Sequence, residues 1–250
     1  MEALSAFLDA LSFLTILPFS SKSLGVKPAL RMSRALTWFP LVGAMIGVLG
    51  GTVAYLAVSW WPPSVAAILS VAAMGMVTGG LHLDGFSDTV DGLGSGKGRE
   101  EILRIMQDSR IGAFGAMGLF LLLGLKWALI QAIPTHQWIR ALSVSGCLSR
   151  WGLVISGQFF PYTRGREGLG RLVTDSKSPI SVMLATVIAL GILLAATGHW
   201  GGLLCIGLAG LVVWGLNVLF LLRLGGITGD TLGAVSEIVE VSVLLFLVMR

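Results

Sequence analysis

Three aspartates, Asp84, Asp88 and Asp91, stand at i, i+4 and i+7 in the stretch GGLHLDGFSDTVDG (79–92). On an α-helix such positions lie within about 60° of one another, given the 3.6-residue turn. Three carboxylates on one face repel each other, and fold stability has no need of them there. A divalent cation relieves the repulsion, and a purely oxygen donor set favours Mg²⁺, Mn²⁺ or Ca²⁺ over zinc. The spacing therefore predicts Asp84, Asp88 and Asp91 as metal ligands. The competing account is a solvated acidic helix end that caps orphan N–H groups. Against it, the chain has only 13 acidic residues, and three of them fall within eight positions. His82, two residues ahead of Asp84, is expected to support the site or touch substrate. Gly85 and Gly92 weaken the helical reading locally.

A second group follows. Arg104, Asp108, Gly112 and Gly115 share one face of a helix that leads into an apolar run. Asp108 is expected as a fourth ligand or as the base, with Asp91 as a further catalytic carboxylate. Arg104 and Arg110 are expected to hold phosphate oxygens, as arginine commonly does; anchoring at a membrane surface explains either one equally well. A third group lies in GGITGDTLGAVSEIVEVS (225–242), where Asp230, Glu237 and Glu240 are spaced i, i+7 and i+10. Carboxylates inside an apolar run are costly and suggest function by default. Lys126 and Arg150 also sit within apolar runs. The four buried charges either neutralise one another or form a polar floor to a substrate cavity, in which case Arg150 contacts substrate. The run GLGSGKG (92–98) is not a P-loop: only three residues separate Gly92 from Gly96, and Gly98 stands where Ser or Thr should follow Lys97.

A hard cation held by carboxylates suits attack on a phosphate ester or pyrophosphate, because it offsets developing oxyanion charge and orients both oxygens. A spare carboxylate could take the proton of an attacking hydroxyl. From these residues alone the reading ends at a Mg²⁺-dependent phosphoryl transferase with no named substrate.

The elements that must carry these groups are membrane helices. The chain of 250 residues is 55% hydrophobic and only 12% charged, where an average soluble domain has roughly 25% charged residues. That apolar content excludes disorder, and a water-soluble surface could not be covered with so little polar sequence. Cys147 and Cys205 both lie in apolar stretches, so a disulfide scaffold is excluded as well. A span needs about 20 apolar residues. Seven runs approach that length, at about 35–60, 63–82, 111–133, 139–160, 179–197, 201–222 and 232–249. Residues 3–17 differ: Leu4, Phe7, Leu8, Leu11 and Leu14 recur at helical spacing with Ser5, Asp9 and Ser12 between them, and Pro18 follows. This predicts an amphipathic helix at the interface or against the bundle, not an eighth span. Asp9 and the lack of a basic start argue against a cleaved signal peptide. The expected fold is an all-α, polytopic integral membrane bundle of about seven transmembrane helices plus this N-terminal helix, in a single domain over 1–250.

Charge separates the loops. Lys22, Lys27, Arg31 and Arg34, then Lys97, Arg99, Arg104 and Arg110, then Arg164, Arg166, Arg171 and Lys177, and finally Arg223 fall in alternate loops. Seven spans put all four loops on one side, which the positive-inside rule makes the cytoplasm. The sequence pI near 9.4 is thereby a topology signal, and no nucleic-acid partner is expected. Gly43, Gly47 and Gly51 repeat every four residues and Gly112, Gly115 and Gly118 every three, spacings that let helices approach closely. They leave a homo-oligomer open.

The stretches GGLHLDGFSDTVDGLGSGKGREEILRIMQDSRIGAFG and GGITGDTLGAVSEIVE, with FLTILP at 13–18 and FPLVGAMIG at 39–47, closely resemble the cobalamin synthase (adenosylcobinamide-GDP ribazoletransferase) family. The resemblance runs through nearly the whole chain. It implies a late step of cobalamin synthesis, in which a hydroxyl of α-ribazole, or of α-ribazole 5′-phosphate, attacks the cobinamide-side phosphate of adenosylcobinamide-GDP and GMP leaves. It also implies Mg²⁺, a multi-pass protein of the cytoplasmic (inner) membrane facing the cytoplasm, and His82, Asp84, Asp88, Asp91 and Asp108 as the residues of the acidic motif. Two other readings were weighed. The CDP-alcohol phosphotransferases share the fragment Asp88-Thr-Val-Asp91-Gly92, but Gly94 and Ser95 stand where that family has Ala-Arg. A cation transporter would place its carboxylates near the midplane, whereas the densest cluster here follows the end of a span.

Overall fold

The structure, a computed structural model, describes residues 2–19, 27–163, 169–197 and 199–249. Lys22, Arg164 and Arg166 of the basic loops lie outside the described residues. Among the described residues twelve α-helices follow one another: α1 Glu2–Leu14, α2 Pro28–Leu36, α3 Phe39–Ala57, α4 Pro63–Thr78, α5 Leu81–Gly94, α6 Arg99–Ile105, α7 Ala113–Ala132, α8 Trp138–Phe159, α9 Leu169–Asp175, α10 Pro179–Thr197, α11 His199–Leu224 and α12 Gly229–Val248. No strand occurs among the described residues; the one extended contact is a parallel bridge between Tyr162 and Ile227. The protein is an all-α membrane bundle.

The exact count of seven spans is not confirmed among the described residues. Five helices, α3, α7, α10, α11 and α12, are each long and apolar enough to cross a bilayer, and a sixth span arises only if α4 and α5 are taken together. The run expected at 63–82 stops at Thr78, because Gly79 and Gly80 both adopt left-handed backbone, φ 61° and 70°, a region glycine enters without steric cost. The chain bends there by 94°, so the acidic segment forms the separate helix α5. α8, expected as a span at 139–160, is more polar than the others. Its 22 residues are nevertheless about 33 Å long at 1.5 Å per residue. It is buried along most of its length, including Ser145, Ser149 and Arg150. α8 packs against α3, α10, α11 and α12, so its polar groups meet protein, where they can be satisfied, instead of lipid.

Close packing around α8 depends on small residues. A Cβ on Gly43, Gly47 or Gly51 would run into the α8 backbone at Gly146, Leu142 and Ile139 respectively. The glycine stripe of α3 is thus used inside the chain. α1 lies on α2 and α3 through Ala6, Ala10, Leu11 and Leu14, and Asp9 accepts hydrogen bonds from the Arg31 guanidinium of α2.

Candidate functional site

α5 and α12 cross at glycines. A Cβ on Gly85 would lie 2.9 Å from the Asp230 backbone, and one on Gly233 would lie 2.9 Å from the His82 carbonyl oxygen. Only bare backbone allows this approach, and it brings His82 and Asp84 of α5 beside Asp230 of α12. The start of α12 is held by a capping box: Thr228 Oγ1 accepts from Thr231 N–H at 3.1 Å, and Thr231 Oγ1 accepts from Thr228 N–H at 2.7 Å. Neighbouring loops are tied to it. Ile227 N–H donates to the Pro161 carbonyl at 2.8 Å and Thr163 N–H to the Ile227 carbonyl at 2.9 Å. Arg99 donates to Thr163 Oγ1 at 2.8 Å.

Two adjoining cavities result. The more enclosed one, about 380 Å³, is lined by His82, Asp84, Gln107, Tyr162 and Asp230, with Phe13, Leu153, Val173 and Leu232 as apolar walls. The more open one, about 600 Å³, is lined by Asp84, Ser87, Asp88 and Ser109, with Ile16, Ile111 and Leu119. Phe13, Leu81 and Asp84 belong to both. Asp84 is exposed and Asp88 half-buried. His82 is buried, and its Nδ1 has no hydrogen-bond partner among the described residues.

The expected aspartate triad is divided. Asp91 is 8% exposed, and its two oxygens accept from Gly112 N–H and Gly115 N–H, each at 2.8 Å. Gly112 is the N-cap of α7 and has no side chain to cap with, so Asp91 caps that helix from a different element and its charge meets the positive end of the helix dipole. The glycines at 112 and 115 are close against the same carboxylate. Asp91, expected as a ligand or base, is thus engaged as the cap of α7. Among the described residues, no group of three His, Cys, Asp or Glu side chains is arranged to hold a metal ion.

The arginines also differ from expectation. Arg150 is 2% exposed and donates to Glu240 Oε2 at 2.9 Å and Ser149 Oγ at 2.6 Å. Lys126 Nζ lies 2.5 Å from Glu237 and 2.8 Å from Glu240. The four charges form a buried, electrically neutral network, so Arg150 is corrected from substrate contact to structural partner. Arg104 pairs with Glu101 at 2.6 Å, and Arg110 with Asp108 at 2.7 Å, both near the surface. The Arg110 side chain, followed by its backbone N–H, holds the Asp108 carboxyl down at about 2. A carboxylate of that acidity is a weak base at neutral pH, although it stays ionised and able to bind a cation. Phe13 lies in the FLTILP segment and Gln107 in the acidic stretch 79–115, but neither residue type points to the site by itself, and Tyr162 has no signal in the sequence.

Asp84 and Asp88 line the same open cavity, and a pair of carboxylates is a donor set compatible with Mg²⁺. This ion is commonly held by one or two carboxylates together with substrate phosphates and water.

A family model described as cobalamin-5-phosphate synthase matches residues 6–248. A protein named adenosylcobinamide-GDP ribazoletransferase from Roseiflexus sp. (strain RS-1) is 39% identical over 243 residues, covering 96% of this chain and 88% of the relative. Proteins of the same name from Brevibacillus brevis and Klebsiella pneumoniae (strain 342) are 36% and 35% identical, covering 98% of this chain and 98% and 99% of theirs. No solved structure matches the chain.

Proposed function

The chain belongs to the cobalamin-5-phosphate synthase family, and from that premise we propose how its residues carry out the ribazoletransferase reaction. It is a multi-pass membrane enzyme that transfers the adenosylcobinamide-phosphate group from adenosylcobinamide-GDP to α-ribazole, or to its 5′-phosphate, in cobalamin biosynthesis. A ribazole hydroxyl oxygen bonds to the cobinamide-side phosphorus, the bond from that phosphorus to the bridging oxygen breaks, and GMP departs with that oxygen. The hydroxyl proton must go to a base.

The observation that carries the division of labour is that Asp84 belongs to both cavities, with Asp88 on one side of it and His82 on the other. Asp84 and Asp88 would hold Mg²⁺ against the diphosphate, and the ion would supply charge neutralisation on the phosphoryl oxygens. His82 borders the enclosed cavity and contacts the acceptor in this scheme. Arg104 and Arg110 line neither cavity; to hold substrate phosphate they would have to leave Glu101 and Asp108. Ionised Asp108 stands in sequence between Gln107 and Ser109, which line the two cavities, and would serve as a further oxygen donor. The network of Lys126, Arg150, Glu237 and Glu240 beneath the site keeps α7, α8 and α12 in register.

The site faces the cytoplasm across the inner membrane. Lys97, Arg99, Arg104 and Arg110 follow α5, Arg171 and Lys177 follow α8, and Arg223 precedes α12. These are the connections that border the two cavities, and basic loops remain cytoplasmic. The α3 glycines are engaged by α8, which removes that face from a homo-oligomer contact. Purified protein in detergent, supplied with Mg²⁺, adenosylcobinamide-GDP and α-ribazole, is expected to release GMP in step with a new corrinoid. Absence of GMP with every divalent ion would overturn the assignment.

A further inference from the structure

The two cavities differ in size, enclosure and chemistry, and on the reaction assigned above we propose that they divide the substrates: the enclosed cavity receives the ribazole acceptor and the open one the diphosphate end of the corrinoid donor. The acceptor is a flat benzimidazole joined to a ribose. A cavity of about 380 Å³ lies within the roughly 300–1,000 Å³ common for small-molecule pockets. Its apolar walls, Phe13, Leu153, Val173 and Leu232, suit the bicyclic base, and its polar groups, His82, Gln107 and Asp230, suit the ribose hydroxyls.

The donor cannot enter that space. A corrin ring with its amide side chains and a guanosine diphosphate is several times larger than a nucleoside. Only its linking diphosphate needs to reach the carboxylates, and the open cavity of about 600 Å³ presents Asp84 and Asp88 with Ser87 and Ser109. Ile16 and Ile111, 65% and 57% exposed, border its mouth and offer an apolar rim at the membrane surface. The reacting phosphorus then sits at the shared wall, beside Asp84. Phe13, stacked on Phe39 with centroids 5.5 Å apart, and Leu81 complete that shared wall with Asp84.

Two exposed positions on the segment between α6 and α7 test the division without disturbing the helix packing. Gln107→Trp fills the enclosed cavity and Ile111→Trp the open one. Gln107→Trp is expected to raise the KM for α-ribazole and for its 5′-phosphate by about tenfold or more, the scale of a pocket misfit, and to leave the KM for adenosylcobinamide-GDP within about twofold. Ile111→Trp is expected to do the reverse. Both proteins should elute from size exclusion as the wild type does. Equilibrium binding of radiolabelled α-ribazole without donor should be lost in Gln107→Trp and retained in Ile111→Trp. Equal changes in both KM values, or a crossed pattern, would overturn the division. A wild-type protein that binds α-ribazole but releases no GMP would overturn the assigned reaction, while the binding pattern alone still decides whether the enclosed cavity is the acceptor site.

Discussion

Removing the Asp91 carboxylate separates a helix cap from a metal ligand. In Asp91→Ala, α7 loses two hydrogen bonds of 2.8 Å to Gly112 N–H and Gly115 N–H. Hydrogen bonds to a charged group contribute roughly 1.5–3 kcal/mol each, and loss of an N-cap costs about 0.5–2 kcal/mol. Two bonds to one carboxylate are not independent, so the combined loss is expected to be about 2–4 kcal/mol. At roughly 2–4 °C per kcal/mol for a chain of this size, the melting temperature should fall by roughly 4–16 °C. Asp91→Asn keeps one oxygen acceptor and turns an NH₂ toward a backbone N–H, so it should recover about half of the loss. The assay is thermal unfolding in detergent by intrinsic tryptophan fluorescence, paired with a Mg²⁺ titration of GMP release. At temperatures below melting, the Mg²⁺ concentration for half-maximal rate should match the wild type for both variants. An Asp91→Ala protein that melts like the wild type but needs about tenfold more Mg²⁺ would refute the capping role and restore Asp91 to the ligand set.

Asp84→Asn and Asp88→Asn should each lower kcat by about 100-fold or more, the scale of losing a pre-organised electrostatic group, while the melting temperature stays close to wild type; a near-normal rate in either would remove that residue from the metal site. Glu240→Gln should destabilise the protein by about 3–5 kcal/mol, because it takes a buried anion from both Lys126 and Arg150. Glu237→Gln should cost less, since Glu240 still contacts both cations. Recovery of monodisperse protein after a heat step would rank the two, and the opposite order would refute the network. The Asp108 carboxyl should titrate near pH 2 in the wild type. Because its folded value is lowered, the favourable pairing with Arg110 persists at neutral pH and is lost as pH falls through about 2. Arg110→Ala should move the midpoint up toward 3.8, read by carboxyl ¹³C NMR; an unmoved midpoint would show that Arg110 is not the cause.

Much of this protein can be read along the chain. Apolar run length and the alternating basic loops depend only on local composition, so the membrane bundle and its helix order followed directly. The acidic motif was equally visible, and with the later GITGDT segment it carried the family. What local sequence could not determine is which partner each polar group meets. Asp84 and Asp91 share a helical face on paper, yet α5 lies between two different neighbours. One end crosses α12 at Gly85 and Gly233 and opens onto the cavities, while the other supplies the cap that Gly112 lacks. Glu237 and Glu240 meet Lys126 and Arg150 for a similar reason: a buried charge is stable only beside an opposite one, and the partners lie 90 to 114 residues away in the chain. The 94° corner at Gly79–Gly80 created this distribution. It turns the motif helix away from its span and gives each carboxylate a different environment, so chemistry that looked uniform in the sequence was divided by packing into a site, a cap and a neutral core.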